Sequence, residues 1–187
     1  MSFPGMPSLD AAVMAFIQTH FHNTVTDTVF PIITSLGEAG IGWIVLSLVL
    51  LCFKKTRRTG GLVLIAMTVT LLFGELTLKN IICRLRPCNV FTDFPMLIAR
   101  PTSYSFPSGH TSSSFAAALI LTLRHKKVGW LAYIPAVLIA FSRIFLFVHY
   151  PTDVLAGILL GTLAALLTYF AAKAIQKRQA EKRTAQI

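Results

Sequence analysis

The chain has 187 residues, enough for one domain, and is 55% hydrophobic and only 13% charged, with a mean hydropathy of +0.69. That balance excludes a disordered polar chain and fits a bilayer better than water. The formal net charge of +10 points toward polyanions, but its distribution excludes a nucleic-acid surface: the basic residues gather at the ends of apolar segments.

The N-terminus, MSFPGMPSLD, has no basic n-region and no early apolar core, so no cleavable signal peptide is expected. From Leu9 to Leu36 the reading stays open. Asp10, His20, His22, Asn23 and Asp27 interrupt the apolar residues, and Pro31 is expected to bend or break a helix. This segment, within residues 1–36, is either an imperfect membrane span or a pair of amphipathic interfacial helices. His20 and His22 are assigned to that interface.

Ile41 to Phe53 is a short apolar core that extends back toward Glu38 to reach spanning length. A first basic cluster follows: Lys54, Lys55, Arg57 and Arg58. Leu62 to Cys83 reads as a membrane helix. Gly109 to Leu123 is shorter and rich in Ala and Ser, suited to close helix packing. Arg124, Lys126 and Lys127 form the second cluster, with His125 solvated among them. Val128 to Val148 and Pro151 to Ala172 are two further spans. Lys173, Lys177, Arg178, Lys182 and Arg183 form the third cluster, and residues 176–187 form a solvated tail. The expected fold is therefore all-α: one polytopic membrane helix bundle over residues 1–187, with five clear spans and a sixth where the N-terminal segment also crosses.

The positive-inside bias places all three clusters, and the C-terminus, in the cytoplasm of a plasma-membrane protein. Three polar stretches then converge on the extracytoplasmic face: LKNIICRLRPC, SYSFPSGHTSS and SRIFLFVHYPTD. The five basic residues outside the clusters, Lys79, Arg84, Arg86, Arg100 and Arg143, all fall at or near that face, against the bias. Arg84 and Arg100 are read as side chains snorkelling to headgroups. Lys79, Arg86 and Arg143 come from separate helix ends, and bringing them together requires an anion. A phosphate matches guanidinium forks and a lysine point charge. Glu75, one turn before Lys79, is expected to pair with it.

In FPSGH, Pro107 suits the first turn of a helix, and Ser108 and Gly109 leave the backbone open at its N-terminus, where free N–H groups attract anions. Pro151 forces a helix end at Tyr150, so His149 lies at the boundary rather than deep in lipid. Asp153, in the first turn of the next helix, is placed to orient His149 so that its other nitrogen is free to attack. With a second histidine, His110, at the same face, one of the two can attack phosphorus while the other protonates the leaving oxygen. Tyr104 and Phe106 line a lipid entrance or belong to an aromatic belt. No Cys/His spacing suits zinc, and no carboxylate pair of the two-metal kind is visible, so neither metal nor cofactor is expected. A disulfide between Cys83 and Cys88 is left open.

Lys79 with Arg86-Pro87 gives KX6RP, Pro107 to His110 gives PSGH, and Ser142 to Asp153 gives SRX5HX3D. Together these resemble the three-part signature of the type-2 phosphatidic acid phosphatase superfamily. The resemblance implies a six-helix bundle. It implies His149 as a nucleophile forming a phosphohistidine, Asp153 as its orienting partner, and His110 as the acid for the leaving group. Lys79, Arg86, Ser108, Gly109 and Arg143 would hold the phosphoryl group. The expected activity is hydrolysis of a lipid phosphomonoester or pyrophosphate, such as undecaprenyl pyrophosphate, phosphatidylglycerol phosphate or phosphatidate. The expected partners are that lipid substrate and the membrane lipids, without nucleic acid or metal. Two other classes share the anion site: a non-catalytic lipid-phosphate carrier, and a haloperoxidase, which would need bound vanadate.

Overall fold

The computed structural model describes residues 3–184, and they are helical with no strand among them. The elements are α1 Ser8–His20, α2 Thr24–Leu36, α3 Ile41–Cys52 and α4 Arg57–Thr70. A π-helical stretch, Leu71–Leu78, carries α4 into α5 Lys79–Ile82, and α6 Pro87–Val90 opens a long irregular loop. α7 is Gly109–Arg124, α8 is Tyr133–Phe145 behind a 3-10 turn at Gly129–Ala132, and α9 is Pro151–Thr184. The tail expected at 176–187 is a continuation of α9 as far as Thr184; residues 185–187 lie outside the described residues.

Two stretches, Arg57–Val90 and Pro151–Thr184, are long and apolar enough to cross a membrane, and Thr24–Leu36 with Glu38–Cys52 forms a third as a pair bent by 44°. The bend does not fall at Pro31, which α2 accommodates. It falls at Gly37–Gly40, where Ala39 and Gly40 take positive φ. α2 starts at a capping box in which Asn23 and Thr26 exchange side chain–backbone bonds.

The expected count of six spans is not reproduced. Near its start α1 is held by Thr152 N–H, which donates to Asp10 Oδ1 at 2.9 Å; near its end Gln18 Nε2 donates to the Phe145 carbonyl at 3.0 Å. Both ends of α1 therefore bind the same α8–α9 connection, and the helix lies across that end of the bundle. Asp10, Met14, Ile17 and Gln18 face inward, while Leu9 and Phe16 face outward. His22 stacks on Phe145 and bonds Asp27, and His20 remains exposed.

α7 is the hub. Its small residues Ala116, Ala117 and Ala118 are fully buried. α9 presents Gly157 and Gly161 to it, so close that a Cβ at Gly161 would overlap the Ser112 carbonyl. Small-residue packing of this kind lets two helices approach where lipid offers no hydrophobic drive. On its other side α9 exposes Leu155, Leu159, Leu163 and Leu167, a stripe at four-residue spacing. At the far end of the bundle Thr59 Oγ1 and His125 Nε2 are 3.0 Å apart, which brings the first two basic clusters together. His125 is thus a partnered residue, not a solvated one.

Candidate active site

Each motif is shaped by a helix end. At the end of α8, Phe147 takes φ +59°, and the chain folds back so that the N–H groups of Val148 and His149 both reach the Arg143 carbonyl at 3.2 Å. A left-handed residue closing a helix satisfies carbonyls that would otherwise be orphaned. Here it fixes the spacing between Arg143 and His149. α5 ends the same way at Cys83, φ +50°. The chain then runs out through Arg84 and Leu85, and Pro87 takes the first position of α6. Cys88 N–H donates to the Phe147 carbonyl at 3.2 Å, so the first motif is tied to the turn that carries His149.

Lys79, Arg86, Gly109, His110, Arg143 and His149 all line one cavity of about 960 Å³. Lys79, Arg86, Arg143 and His149 are at most 5% exposed. Arg86 is fully engaged: Nε donates to the Ser103 carbonyl at 2.7 Å, Nη2 to Ser103 Oγ at 3.0 Å, and Nη1 to the Val148 carbonyl at 2.9 Å. Nη1 also lies 2.9 Å from His149 Nε2. A guanidinium only donates, so Nε2 must accept, and the imidazole proton sits on Nδ1. His149 lies in the turn between α8 and α9. Burial first, and then the charges of Arg86, Arg143 and Lys79, hold its pKa well below the ordinary histidine range. The ring is therefore neutral, with its Nε2 lone pair directed at Arg86 Nη1.

Asp153 stands behind it. Its Oδ2 is 3.5 Å from His149 Nδ1, and Ser105 Oγ, also 3.5 Å from Nδ1, donates to the same Oδ2. Tyr150 N–H adds a bond of 2.9 Å to that oxygen. Ser105 had no signal in the sequence beyond its place before PSGH.

Arg143 Nη1 donates to Thr34 Oγ1 of α2, and its Nε is buried without a partner. Lys79 Nζ pairs with Glu75 at 2.7 Å, as its spacing suggested. Glu75 also lies against Gly109, where a Cβ would meet its carboxylate. Ser108 does not line the cavity: its Oγ accepts from Thr111 N and Oγ1 and caps α7. His110 does line it. Its Nε2 is buried with no hydrogen-bond partner, 3.6 Å from Glu38 Oε2.

Two residues depart from expectation. Arg84 does not snorkel; it forms ion pairs with Asp10 at 2.7 Å and Asp153 at 2.6 Å. Arg100 donates to the carbonyls of Cys88, Thr92 and Phe94 and ties down the loop after α6. Both would otherwise sit unpaired near low dielectric, and both find oxygen partners in the fold. Cys83 and Cys88 are unbonded, one exposed and one buried. Tyr104 is exposed, and neither it nor Phe106 lines the cavity.

Known proteins resemble this chain in sequence and in fold. The chain is 39% identical over 127 residues to an undecaprenyl-diphosphatase of Sulfolobus acidocaldarius, covering 67% of this chain and 61% of that protein. It is 33% identical over 145 residues to the bacitracin transport permease protein BcrC of Bacillus licheniformis, covering 76% and 71%. The structure resembles a transmembrane PAP2 type phosphatidylglycerolphosphate phosphatase from Bacillus subtilis, with a TM-score of 0.72, 30% identity, and coverage of 90% of this chain and 86% of the other. The chain spans about three fifths of the Sulfolobus protein's length. The family model for the PAP2 superfamily matches residues 59–177, which include all three motifs. With that match, and with these relatives, the chain is a membrane protein belonging to the PAP2 superfamily.

Proposed function

We propose that this protein is a lipid phosphatase that hydrolyses a lipid phosphomonoester or pyrophosphate through a phosphohistidine. The single observation carrying this reading is His149: a neutral imidazole whose unprotonated Nε2 faces Arg86 in a cavity shared with Lys79 and Arg143. A buried cluster of three cations fits a phosphoryl group, and an unprotonated imidazole nitrogen beside them fits attack on phosphorus.

In this mechanism His149 Nε2 forms a bond to phosphorus as the bond to the lipid oxygen breaks. Lys79, Arg86, Arg143 and the N–H groups at the start of α7 stabilise the equatorial oxygens. His110, whose Nε2 has no other partner, delivers a proton to the leaving oxygen. Asp153 and Ser105 keep the His149 proton on Nδ1. Water then attacks the phosphohistidine, His110 takes up its proton, and inorganic phosphate leaves. Ser108 supports the site by capping α7.

Ile44 of α3, Leu64 and Met67 of α4, and Leu71 line the same cavity. Apolar side chains in one cavity with a cationic cluster suit a phosphate attached to a hydrocarbon chain. Undecaprenyl diphosphate and phosphatidylglycerol phosphate, named for the relatives, are the leading substrate classes, with phosphatidate a third. In this reading the bent α2–α3 pair, α4 with its continuation, α7, α8 and α9 cross the plasma membrane. α1 rests on the extracytoplasmic surface beside the site, and the basic clusters and C-terminus are cytoplasmic.

The test is phosphate release by the detergent-purified protein across lipid phosphates and pyrophosphates, with and without EDTA. Turnover that persists in EDTA and disappears in His149→Ala supports the reading; turnover retained by His149→Ala removes the nucleophile. The Bacillus licheniformis relative is named a transport permease, which favours a lipid-phosphate carrier as the second reading. A carrier has no need of His149, so binding with no turnover on any substrate decides for it.

A further inference from the structure

Asp10 is a fully buried carboxylate that the chemistry above does not use. It lies on α1, in a segment whose sequence read equally as an imperfect span or as an interfacial pair. Burying a carboxylate is costly unless charge and hydrogen bonds compensate it. Asp10 has both. Its Oδ2 accepts from Arg84 Nη2 at 2.7 Å and from Thr152 Oγ1 at 2.8 Å, and its Oδ1 accepts from Thr152 N–H.

The same guanidinium reaches the site. Arg84 Nη1 donates to Asp153 Oδ1 at 2.6 Å and to Thr152 Oγ1 at 2.7 Å, and the group lies 3.7 Å over the Tyr150 ring. Arg84 also accepts, through its carbonyl, the N–H of Ser105 at 2.8 Å. One oxygen of Asp153 is therefore fixed by Arg84. The other is left to Ser105, Tyr150 N–H and the Nδ1 side of His149. A single fork between two buried carboxylates sets where Asp153 points.

We propose that Arg84, clamped by Asp10 of α1, is a positioning residue for phosphoryl transfer, acting through Asp153 on the orientation of His149. The N-terminal helix thereby forms part of the catalytic apparatus. This rests on the phosphatase reading, because Asp153 has a role only if His149 attacks. The planar fork is essential: a lysine carries the charge but cannot hold two carboxylates in fixed directions.

The experiment uses the full chain in detergent and the substrate that the wild type turns over best. Asp10→Asn is isosteric and Arg84→Lys keeps the charge. Each should lower kcat roughly tenfold or more, the range typical when an outer hydrogen-bond partner of a working histidine is removed. KM should stay within about twofold, since the phosphate-holding cations are untouched. Added guanidinium ion should restore part of the activity of Arg84→Ala. In an Asp153→Asn background, Asp10→Asn should cause no further loss, because its route to His149 is already cut.

Wild-type kcat in folded Asp10→Asn overturns the proposal. So does an Asp10→Asn loss of the same factor with and without Asp153, which would mean an effect on folding or packing alone. If Arg84→Ala does not survive purification, Asp10→Asn and the double variant carry the test. An inactive wild type would instead sink the phosphatase reading, and is seen before any variant is compared.

Discussion

His149 and Arg86 are 63 residues apart in sequence, yet Nε2 of one lies 2.9 Å from Nη1 of the other. The contact sets the imidazole tautomer and places the proposed attacking atom beside a cation proposed to hold the phosphate. Arg86 is itself immobilised by Ser103 and Val148. Its direction is fixed before substrate arrives, which lowers the reorganisation needed during the reaction.

Arg86→Lys is therefore expected to behave almost as badly as Arg86→Ala. An ammonium cannot bond Ser103, Val148 and His149 together. Each variant should lose about a hundredfold or more in kcat/KM, as when one charge-stabilising donor is removed. Phosphate release checks this, with a melting curve to confirm folding. A lysine variant near wild-type activity would mean that charge alone suffices.

The depressed pKa of His149 has a consequence for pH. In the proposed mechanism neutral imidazole is the active form, and burial with neighbouring cations disfavours the protonated one. Protonation, and with it loss of the nucleophile, is thus displaced to acid below the ordinary value of about 6.5. kcat/KM, corrected for substrate ionisation, should show no one-proton fall centred near that value. Such a fall would mean that His149 titrates as a solvated histidine in the free protein.

Glu75 pairs with Lys79 and lies against Gly109, so a carboxylate lines the proposed anion site. Glu75→Gln removes that like charge. Inhibition by inorganic phosphate or vanadate should tighten about fivefold, the scale of one partly screened charge at close range. Weaker inhibition would show that Glu75 serves chiefly to aim Lys79.

Gly161 faces the Ser112 carbonyl and Ala116 N with no room for a Cβ. Gly161→Val should push α9 from α7 and destabilise the protein by about 2 kcal/mol or more, as overpacking does. The melting temperature in detergent should fall, and activity with it, because Ser108 N–H bonds the Asp153 carbonyl across that same helix pair. An unchanged melting temperature would mean that the two helices separate freely.

Much of this was legible in the sequence. The apolar stretches, the basic clusters and the helix ends are local signals, set by composition and by residues such as Pro107 and Pro151 that act on their own backbone. The spacing of Arg143 and His149 is local too, since one helix closure produces it. Lys79, Arg86, His110, Arg143 and His149 could be named beforehand as one group because the basic clusters put their three stretches on one face and because their motifs resemble one family's signature. Glu75 could be paired with Lys79 because four residues make one helical turn.

What the sequence could not show depended on chain segments far apart. Arg84 looked like a snorkelling side chain, since nothing nearby revealed the two carboxylates it holds, 74 residues before it and 69 after it. Ser105 and Thr34 looked like ordinary polar residues until folding set them against Asp153 and Arg143. The N-terminal segment resembled a span or an interfacial pair equally well. Its place was decided by Thr152 and the Phe145 carbonyl, which take Asp10 and Gln18 as partners. Local patterning determines which segments are helical and where they end. Which charges are buried together is decided only when distant segments pack, because only then does each charge meet the partner that makes its burial tolerable.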